Sequence, residues 1–330
     1  MKRRALVTIV TIAVLLVALS GAQASDIGHF NGGVYSIRDY FIPAEPGVYG
    51  ALYNYGYKTT RINDNNGNQI TTGPGGLTTF DVDVKMYALA PVLIWITPCE
   101  FLGAKYGAYI APEFANSSLD ANVNTAFGRG GTVNESSFGV GDLFVQPVWL
   151  DWALHHWDLM LAYGFWAPIG KYDTQTVGPL TFESAGNIGL GYWTQQVQGG
   201  AAWYPWTNHA TAVTAVLTYE YNSLQQDTDV RYGQILTLNW GISQYLPLNK
   251  AQTLLLEVGP AGYDAFQITD TSGQQFGDPS NHSQVQAVGG QLGLTYVPWN
   301  AALNFHGFYE YYAASRVQGA SVGINLVWKF

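Results

Sequence analysis

The chain has 330 residues, a net charge of −9 and only 11% charged residues, whereas soluble domains average about a quarter. Aromatic residues reach 15%, and there are 38 glycines. Such a composition is too poor in charge for a large soluble surface, and its acidic balance excludes nucleic acid as a natural partner. A single cysteine, Cys99, excludes an intrachain disulfide framework.

The N-terminus has the pattern of a secretory signal peptide. Residues 2–4 are basic, residues 5–19 are apolar except for two threonines, and Ala22-Gln23-Ala24 forms a small-residue cleavage site. The alternative is an uncleaved anchor, because the apolar stretch approaches the roughly 18 residues that cross a bilayer. The cleavage site favours a signal peptide over residues 1–24. Its removal takes away three of the 14 basic residues and none of the 23 acidic ones, which leaves a net charge of −12.

Residues 25–47 are rich in apolar and aromatic side chains, which a tail in water would not need. We predict that this segment lies inside a barrel as a plug or hatch, an arrangement that resembles long-chain fatty acid transporters. An ordered periplasmic lid is the alternative. The residues predicted to act in the plug are Phe30, Tyr35, Arg38, Asp39 and Phe41.

Residues 48–330 consist mostly of segments in which apolar and polar residues alternate, the pattern of β-strands. No apolar stretch of helix length follows the signal peptide, so a mature chain that crosses a membrane must do so as a closed barrel. In 157–165 the lipid-facing residues would be Trp157, Leu159, Leu161, Tyr163 and Phe165. The predicted strands are 48–58, 80–96, 104–114, 138–152, 157–168, 186–203, 210–221, 232–246, 253–267, 284–297, 301–313 and 318–330.

The connections between these strands alternate in length. The long, polar connections are 59–79, 115–136, 169–185, 222–231 and 269–283, and the short ones are 97–103, the region of His155, 205–209, 247–251 and 298–300. Outer-membrane barrels combine long external loops with short periplasmic turns in this way. We therefore predict an all-β fold, a transmembrane antiparallel β-barrel of about 12 strands in one domain, with both termini in the periplasm.

The last ten residues, SVGINLVWKF, predict a strand that faces lipid with Val322, Ile324, Leu326, Trp328 and Phe330. Its natural partner is the first strand, because that pairing leaves no open edge. The terminal aromatic resembles the signal by which bacterial outer-membrane proteins are assembled, carried here by Trp328 and Phe330. The expected location is the outer membrane of a Gram-negative cell, and the expected partners are its lipid and lipopolysaccharide and the assembly machinery.

Residues on the parity opposite to the apolar one would line the lumen. The charged and polar members of this set are Asp81, Asp83, Lys85, Asp158, Glu220, Arg231, Asn304, His306 and Glu310, and the aromatic members are Trp166, Phe308 and Tyr312. An ordinary hydrated lumen accounts for the charged residues. Aromatic residues in a lumen suit a path for aromatic compounds, although a place in the girdles at the membrane boundary is the simpler explanation for them.

Catalytic and metal-binding patterns are weak in this chain. His155 and His156 are adjacent in a predicted turn, where they cannot easily share an ion, and no third ligand stands at a metal spacing. His306 and Glu310 would share a face, but no G-x-S-x-G elbow accompanies them. We therefore expect no enzyme activity, no metal and no cofactor.

Four segments resemble a known family: 28–57 (GHFNGGVYSIRDYFIPAEPGVYGALYNYGY), 138–152 (FGVGDLFVQPVWLDW), 163–173 (YGFWAPIGKYD) and 217–246 (LTYEYNSLQQDTDVRYGQILTLNWGISQYL). They are similar to proteins assigned to the meta-pathway of phenol degradation, which include sphingosine-induced outer-membrane proteins. The resemblance implies an outer-membrane barrel, often encoded beside catabolic enzymes, that passes hydrophobic or aromatic compounds. It implies no catalytic residues.

Together these observations predict an outer-membrane channel for the passive uptake of small hydrophobic or aromatic compounds. A general or ion-conducting porin is the first alternative, and a non-transporting barrel that binds lipid or acts as an adhesin is the second.

Overall fold

The computed structural model describes residues 28–73, 78–125, 130–177, 180–184, 186–273 and 278–330. The predicted signal peptide, residues 1–24, lies outside the described residues. Within these ranges, no helix has the length and apolar character required to cross a membrane.

The described chain folds into fourteen β-strands, twelve of which form one closed antiparallel barrel. The strands are β1 (Gly47–Ile62), β2 (Thr78–Phe101), β3 (Ala104–Thr125), β4 (Gly130–Ala153), β5 (Trp157–Ala167), β6 (Thr174–Val177), β7 (Leu180–Glu183), β8 (Thr194–Trp203), β9 (Thr211–Asn222), β10 (Ile235–Pro247), β11 (Leu254–Gln267), β12 (Gln284–Tyr296), β13 (Ala301–Ala314) and β14 (Val317–Lys329). Neighbours along the chain pair around the barrel, except that β5 pairs with β8, since β6 and β7 form a separate hairpin. The predicted closed barrel of about 12 strands is confirmed.

Closure occurs between the first and last strands, as the sequence predicted. Strand β14 pairs with β1 from Tyr49–Lys329 to Ile62–Val317. The Phe330 amide donates a further hydrogen bond to the Val48 carbonyl at 3.0 Å. No strand edge is therefore left at the seam, and the backbone groups of both strands are satisfied.

The connections separate the two ends of the barrel. At the turn end, the links between β2 and β3, β4 and β5, β8 and β9, β10 and β11, and β12 and β13 are short. At the opposite end, which we call the loop end, the connections between β1 and β2, β5 and β8, β9 and β10, and β11 and β12 are longer, and the hairpin of β6 and β7 lies in one of them. Strand β1 begins and β14 ends at the turn end.

The outer face of the barrel carries a belt of exposed apolar side chains, which would be a liability in water but suits lipid. Its members include Leu93, Trp95, Ile110, Leu159, Leu161, Val197, Leu217, Ile242, Val288, Leu292, Phe305 and Ile324. The outward parity predicted for 157–165 and for the last strand agrees with this belt, because Trp157, Tyr163, Val322 and Leu326 are also exposed.

The strands β2, β3 and β4 are longer than predicted. They have 24, 22 and 24 residues, so much of the predicted loop 115–136 forms the loop-end part of a hairpin. About 9–11 residues of a tilted strand suffice to cross a bilayer. The loop-end parts of these strands therefore extend beyond the length that lipid would cover.

Three charged residues in the extended part of β2 face outward, opposite to the prediction. Asp81, Asp83 and Lys85 share the parity of the exposed Tyr87, so they lie on the outer face and not in the lumen. Lys85 Nζ lies 3.6 Å from Asp83 Oδ2 there. The prediction was wrong because it assumed that lipid covers the whole outer face, whereas water surrounds a strand that continues past the bilayer.

Candidate functional site

The inner wall of the barrel has two chemically different halves. The inward side chains of β1–β5, which we call the apolar wall, are mainly aromatic and aliphatic: Tyr49, Ala51, Tyr53, Tyr55, Ala88, Val92, Ile94, Ile96, Tyr109, Ala111, Phe144, Trp149, Met160, Ala162 and Trp166. Those of β8–β14, which we call the polar wall, include many amides, hydroxyls and acids: Thr194, Gln196, Gln198, Thr218, Glu220, Thr237, Asn239, Ser243, Glu257, Gln291, Asn304, His306, Glu310, Ser321 and Asn325.

Residues 28–46, which we call the inner segment, run between these walls. Its backbone is hydrogen-bonded to the polar wall: the Gly33 amide donates to Asn239 Oδ1 at 2.9 Å, and the Ile37 amide donates to Gln291 Oε1 at 2.8 Å. On another strand, Asn325 Nδ2 donates to the Val34 carbonyl at 2.9 Å. Polar wall residues thus satisfy backbone groups that an irregular segment leaves unpaired.

The strongest anchor of the inner segment is Arg38, near the turn end. Its Nε lies 3.0 Å from Glu257 Oε1 and donates to Ser243 Oγ at 2.8 Å. Its terminal nitrogens donate to the carbonyls of His209 and Ala210 at 3.1 and 3.0 Å. The guanidinium also stacks over the Tyr245 ring, 4.2 Å from its centroid. All three guanidinium nitrogens therefore have partners on the wall.

A second anchor lies at His29, nearer the loop end. The His29 Nε2 atom lies 2.9 Å from Asp142 Oδ2, and Nδ1 lies 2.8 Å from Thr194 Oγ1. The ring stacks on Trp166 at 5.0 Å between centroids. The amides of His29 and Phe30 both donate to Glu220 Oε1, at 3.1 and 3.0 Å. The inner segment is thus fixed to the wall at both ends.

Toward the apolar wall the inner segment presents mainly rings. Phe30, Tyr35, Tyr40 and Phe41 belong to or pack on the core formed with that wall. The Tyr35 and Tyr109 hydroxyls lie 3.1 Å apart, and the Ile42 amide donates to Asp151 Oδ2 at 2.7 Å. Polar contacts are therefore fewer on this side than on the polar wall.

Three cavities follow one another along the inner segment: the two smaller ones lie against the apolar wall, and the largest also reaches the polar wall at Tyr263 and Glu310. The largest, about 490 Å³, lies toward the loop end and reaches Tyr55, Met86 and the hairpin residue Glu183. A second, of about 70 Å³, adjoins it beside Ala88 and Ala111, and a third, of about 20 Å³, lies beside Ile94. The space thus narrows from the loop end to the turn end, where only about one water would fit.

The five residues predicted for the plug all contact the wall or the segment itself. Phe30 and Phe41 are buried, Tyr35 and Arg38 make the contacts above, and Asp39 Oδ2 accepts a hydrogen bond from the Ser36 amide at 3.1 Å. That these contacts act to close a pore remains a prediction.

Seven of the twelve predicted lumen residues face inward: Asp158, Trp166, Glu220, Asn304, His306, Phe308 and Glu310. Of these, Trp166 and Glu220 contact His29 of the inner segment, and the Phe308 ring lies against Gly33. Asp158 accepts a hydrogen bond from the Tyr204 hydroxyl at 2.7 Å, and Phe308 packs edge-on against Tyr263. Glu310 accepts from Tyr57, Tyr263, Arg316 and the Gly319 amide, so it belongs to a network within the wall.

Arg231 and Tyr312 do not face the lumen, contrary to the prediction. Arg231 lies in the connection between β9 and β10, with its guanidinium 6.0 Å from the ring of the outward-facing Tyr221. Tyr312 pairs with Gln286, after an irregularity that shifts the register between β12 and β13. An extra residue in one strand reverses the parity beyond it, so alternation counted from Glu310 gives the wrong face for Tyr312.

Sequence reasoning missed the wall residues that hold the inner segment. Asp142, Asn239, Glu257, Gln291 and Asn325 are buried and inward-facing. For Asn239, Gln291 and Asn325 the signal was present, because each is a polar residue on the parity opposite to an exposed apolar residue of its strand. Asp142 instead has the same parity as the exposed Val140, because the pairing of β3 with β4 shifts between them. The choice among many such residues required the position of the inner segment.

The described residues contain no group of three or more His, Cys, Asp and Glu side chains that could hold a metal ion. His306 and Glu310 lie on one face, but the hydrogen bonds of Glu310 go elsewhere and both His306 ring nitrogens lack a partner among the described residues. No orienting contact between the two is formed.

A known protein family matches most of the chain. The family described as "Putative MetA-pathway of phenol degradation" matches residues 59–326, most of the chain. The chain belongs to this family. The match to the phenol-degradation family begins within β1, so the inner segment lies outside it. No curated protein matches the chain.

Solved structures resemble the barrel. The crystal structure of the COG4313 outer membrane channel from Pseudomonas putida F1 has a TM-score of 0.58 at 13% identity, over 90% of this chain and 100% of that one. The β domain of the Bordetella autotransporter BrkA has a TM-score of 0.45 at 11% identity, over 87% and 100%. At these identities the likeness concerns the fold, and the second is too distant to support an argument. The barrel of this family member is thus of the outer-membrane type.

Proposed function

We propose that the protein is an outer-membrane channel for the passive uptake of small hydrophobic or aromatic compounds, and that the inner segment restricts its lumen. One observation carries the proposal: a series of cavities follows the inner segment, and the two smaller ones, which lie against the apolar wall, are lined mainly by aromatic and aliphatic side chains. A wide aqueous porin needs no such lining, whereas sites for small molecules are mostly apolar with a few polar groups.

The matched family and the similarity of the barrel to the Pseudomonas putida outer membrane channel support the same proposal. In this arrangement the loop end faces the exterior, and the turn end, with the start of β1 and the end of β14, faces the periplasm. Protease sites placed at 59–79 and at 247–251 test the orientation. On intact cells, we expect added protease to cleave the first site and to leave the second uncut. The reverse pattern would contradict this arrangement.

The test of the transport function is deletion of residues 28–45. Single-channel conductance of the purified, refolded barrel is measured with and without these residues, together with uptake of a neutral aromatic solute and of a similarly sized sugar. We expect the deletion to raise the conductance and to abolish discrimination between the solutes. Unchanged conductance in a correctly folded deletion would contradict a restricting role for the inner segment. Intact protein that admits the sugar as fast as the aromatic solute would instead indicate a general porin.

If neither the intact protein nor the deletion variant conducts current or admits either solute, the barrel has no transport role. Folding is checked for each form by the shift in electrophoretic mobility on heating, which a closed barrel that resists detergent should show.

A further inference from the structure

A single acidic side chain without a protein partner faces the cavities. Glu113 lines both the cavity of about 490 Å³ and the adjoining one of about 70 Å³. It is half-buried, and within the described part of the chain no hydrogen bond or ion pair to its carboxylate is formed. The other acids that line these cavities, Asp142, Glu183 and Glu310, accept hydrogen bonds from the protein, so Glu113 stands out as an unused acceptor.

Rings surround this carboxylate. Phe30 and Tyr55 line both cavities with Glu113, and Phe144 and Trp166 complete the inner part of the smaller one. A cavity of about 150 Å³ lined by apolar side chains is known to take up benzene. The two adjoining cavities therefore offer room for one aromatic ring, stacked or edge-on against these side chains.

The local backbone holds Glu113 in this position. The pairing of β3 with β4 shifts between Pro112 and Phe114, so Glu113 has no direct partner across the strands. It lies instead beside Gly141, where an added Cβ would come within 3.1 Å of the Glu113 Cβ. A side chain at position 141 would therefore crowd Glu113, and glycine leaves it free to reach the cavity.

The neighbouring carboxylate, Asp142, behaves differently. Besides its contact with His29, it accepts hydrogen bonds from the Gly170 and Leu190 amides at 2.9 and 2.8 Å. Its acceptor capacity serves the protein itself, and its negative charge adds to that of Glu113. A solute carboxylate beside Glu113 would meet like charges, because Asp142, Glu183 and Glu310 also line the larger cavity and its Arg316 is already paired with Glu310. A hydroxyl or ammonium group would instead find a free acceptor.

We propose that the cavity at Glu113 binds a single-ring aromatic molecule that carries a hydrogen-bond donor, a hydroxyl or an ammonium group, and discriminates against aromatic carboxylates. Glu113 accepts the donor, while Phe30, Tyr55 and Trp166 contact the ring. This inference rests on the proposed function, because it names the class of solute that the channel selects. Glu113 is the residue that determines the selectivity.

The test compares three solutes of one shape in the full-length mature protein: 2-phenylethylamine, 2-phenylethanol and 3-phenylpropionate. Isothermal titration of the detergent-purified barrel measures their dissociation constants. We expect the amine and the alcohol to bind, and the carboxylate to bind at least about tenfold more weakly than the amine. Glu113→Gln should weaken binding of the amine about tenfold and bring the dissociation constant of the carboxylate closer to that of the amine, because the substitution removes the charge and keeps the shape of the side chain.

Asp83→Asn is the matched control, since it removes the same charge from the outer face of the neighbouring strand. It should leave all three dissociation constants unchanged. Equal binding of amine and carboxylate, or a Glu113→Gln variant that binds all three like the native protein, would overturn the role of Glu113. A protein that binds none of the three solutes but still takes up the neutral aromatic solute would also overturn the role of Glu113. The proposed function would survive that result. Loss of aromatic uptake itself would overturn both.

Discussion

The polar wall and the apolar wall face the same inner segment but contact it in different ways. The polar wall supplies side-chain partners to the amides of Phe30, Gly33 and Ile37, and to the guanidinium of Arg38. The apolar wall supplies mainly rings, together with most of the wall surface of the two smaller cavities. The polar wall thus supplies most of the hydrogen bonds that position the segment, although Asp142 and Asp151 on β4 also bind it, and the apolar wall leaves most of the space beside it.

The physical reason for this division is the directionality of the two kinds of contact. A hydrogen bond requires a donor and an acceptor at a defined distance, so a wall of amides and acids specifies one position of the backbone. Contacts between rings and aliphatic groups are not directional and tolerate a guest molecule of similar chemistry. Substitutions on the two walls should therefore separate closure of the lumen from admission of solute.

The largest effect is expected from Arg38→Ala. It removes the hydrogen bonds to Glu257, Ser243 and two carbonyls, and it leaves a buried carboxylate without its cation. Breaking a buried ion pair costs about 3–5 kcal/mol, which here would favour displacement of the inner segment. We expect frequent large openings in planar bilayers. Arg231→Ala is the control, because that arginine lies outside the lumen. Records that are identical for native and Arg38→Ala protein would refute the anchoring role.

A selective effect on the solute is expected from Ala111→Phe on the apolar wall. Ala111 lines the cavity of about 70 Å³, and a benzyl group there would occupy much of it. Uptake of the neutral aromatic solute should fall several-fold, while the conductance and the segment contacts persist. Ala108→Phe is the matched control on the same strand, since Ala108 pairs with the exposed Trp95 on the outer face. If both variants transport like the native barrel, solute does not pass beside Ala111.

Much of the barrel could be predicted from alternation, because one face of each strand must suit lipid. The rule succeeded in β5 and β14, where exposed residues such as Leu161 and Ile324 hold one parity. It failed at Asp83, where β2 extends beyond lipid, and at Tyr312, where a register shift reverses the parity. Both failures occur where the condition that lipid covers one face of a regular strand no longer holds.

The division into two walls could not be predicted in the same way. Glu113 and Glu257 both stand on the inward parity, yet Glu257 holds the inner segment and Glu113 faces a cavity. Their roles depend on which strands the segment approaches, which is set by contacts between residues more than 200 positions apart, as for Ile37 and Gln291. Local sequence carries no record of such pairs.

A smaller difference is expected between single hydrogen bonds on the two walls. Asn239→Ala would leave the Gly33 amide unpaired in the barrel, at a cost of about 1–3 kcal/mol, whereas Tyr109→Phe removes one bond between hydroxyls that is worth about 1 kcal/mol. Hydrogen exchange of the peptide that contains Gly33 measures both. We expect faster exchange in Asn239→Ala than in Tyr109→Phe. The opposite order would mean that the apolar wall holds the segment.

The smallest effect is expected at the turn end, where the inner segment meets β1. Lys329 Nζ donates to Glu45 Oε2 at 2.6 Å, and this hydrogen bond and charge hold the pKa of Glu45 below its usual range. A carboxyl whose pKa is lower in the folded state stabilises the protein above its unfolded pKa and loses that contribution as pH falls through the folded value. The pair is exposed to solvent, so water and salt screen it. Glu45→Gln should therefore leave the conductance at neutral pH unchanged. As the pH falls below the ordinary pKa of a glutamate, the native protein should lose a small amount of thermal stability that the variant does not lose. A rise in conductance as large as that of Arg38→Ala would show that the segment is held from its turn end, and the polar wall would then lose its special role.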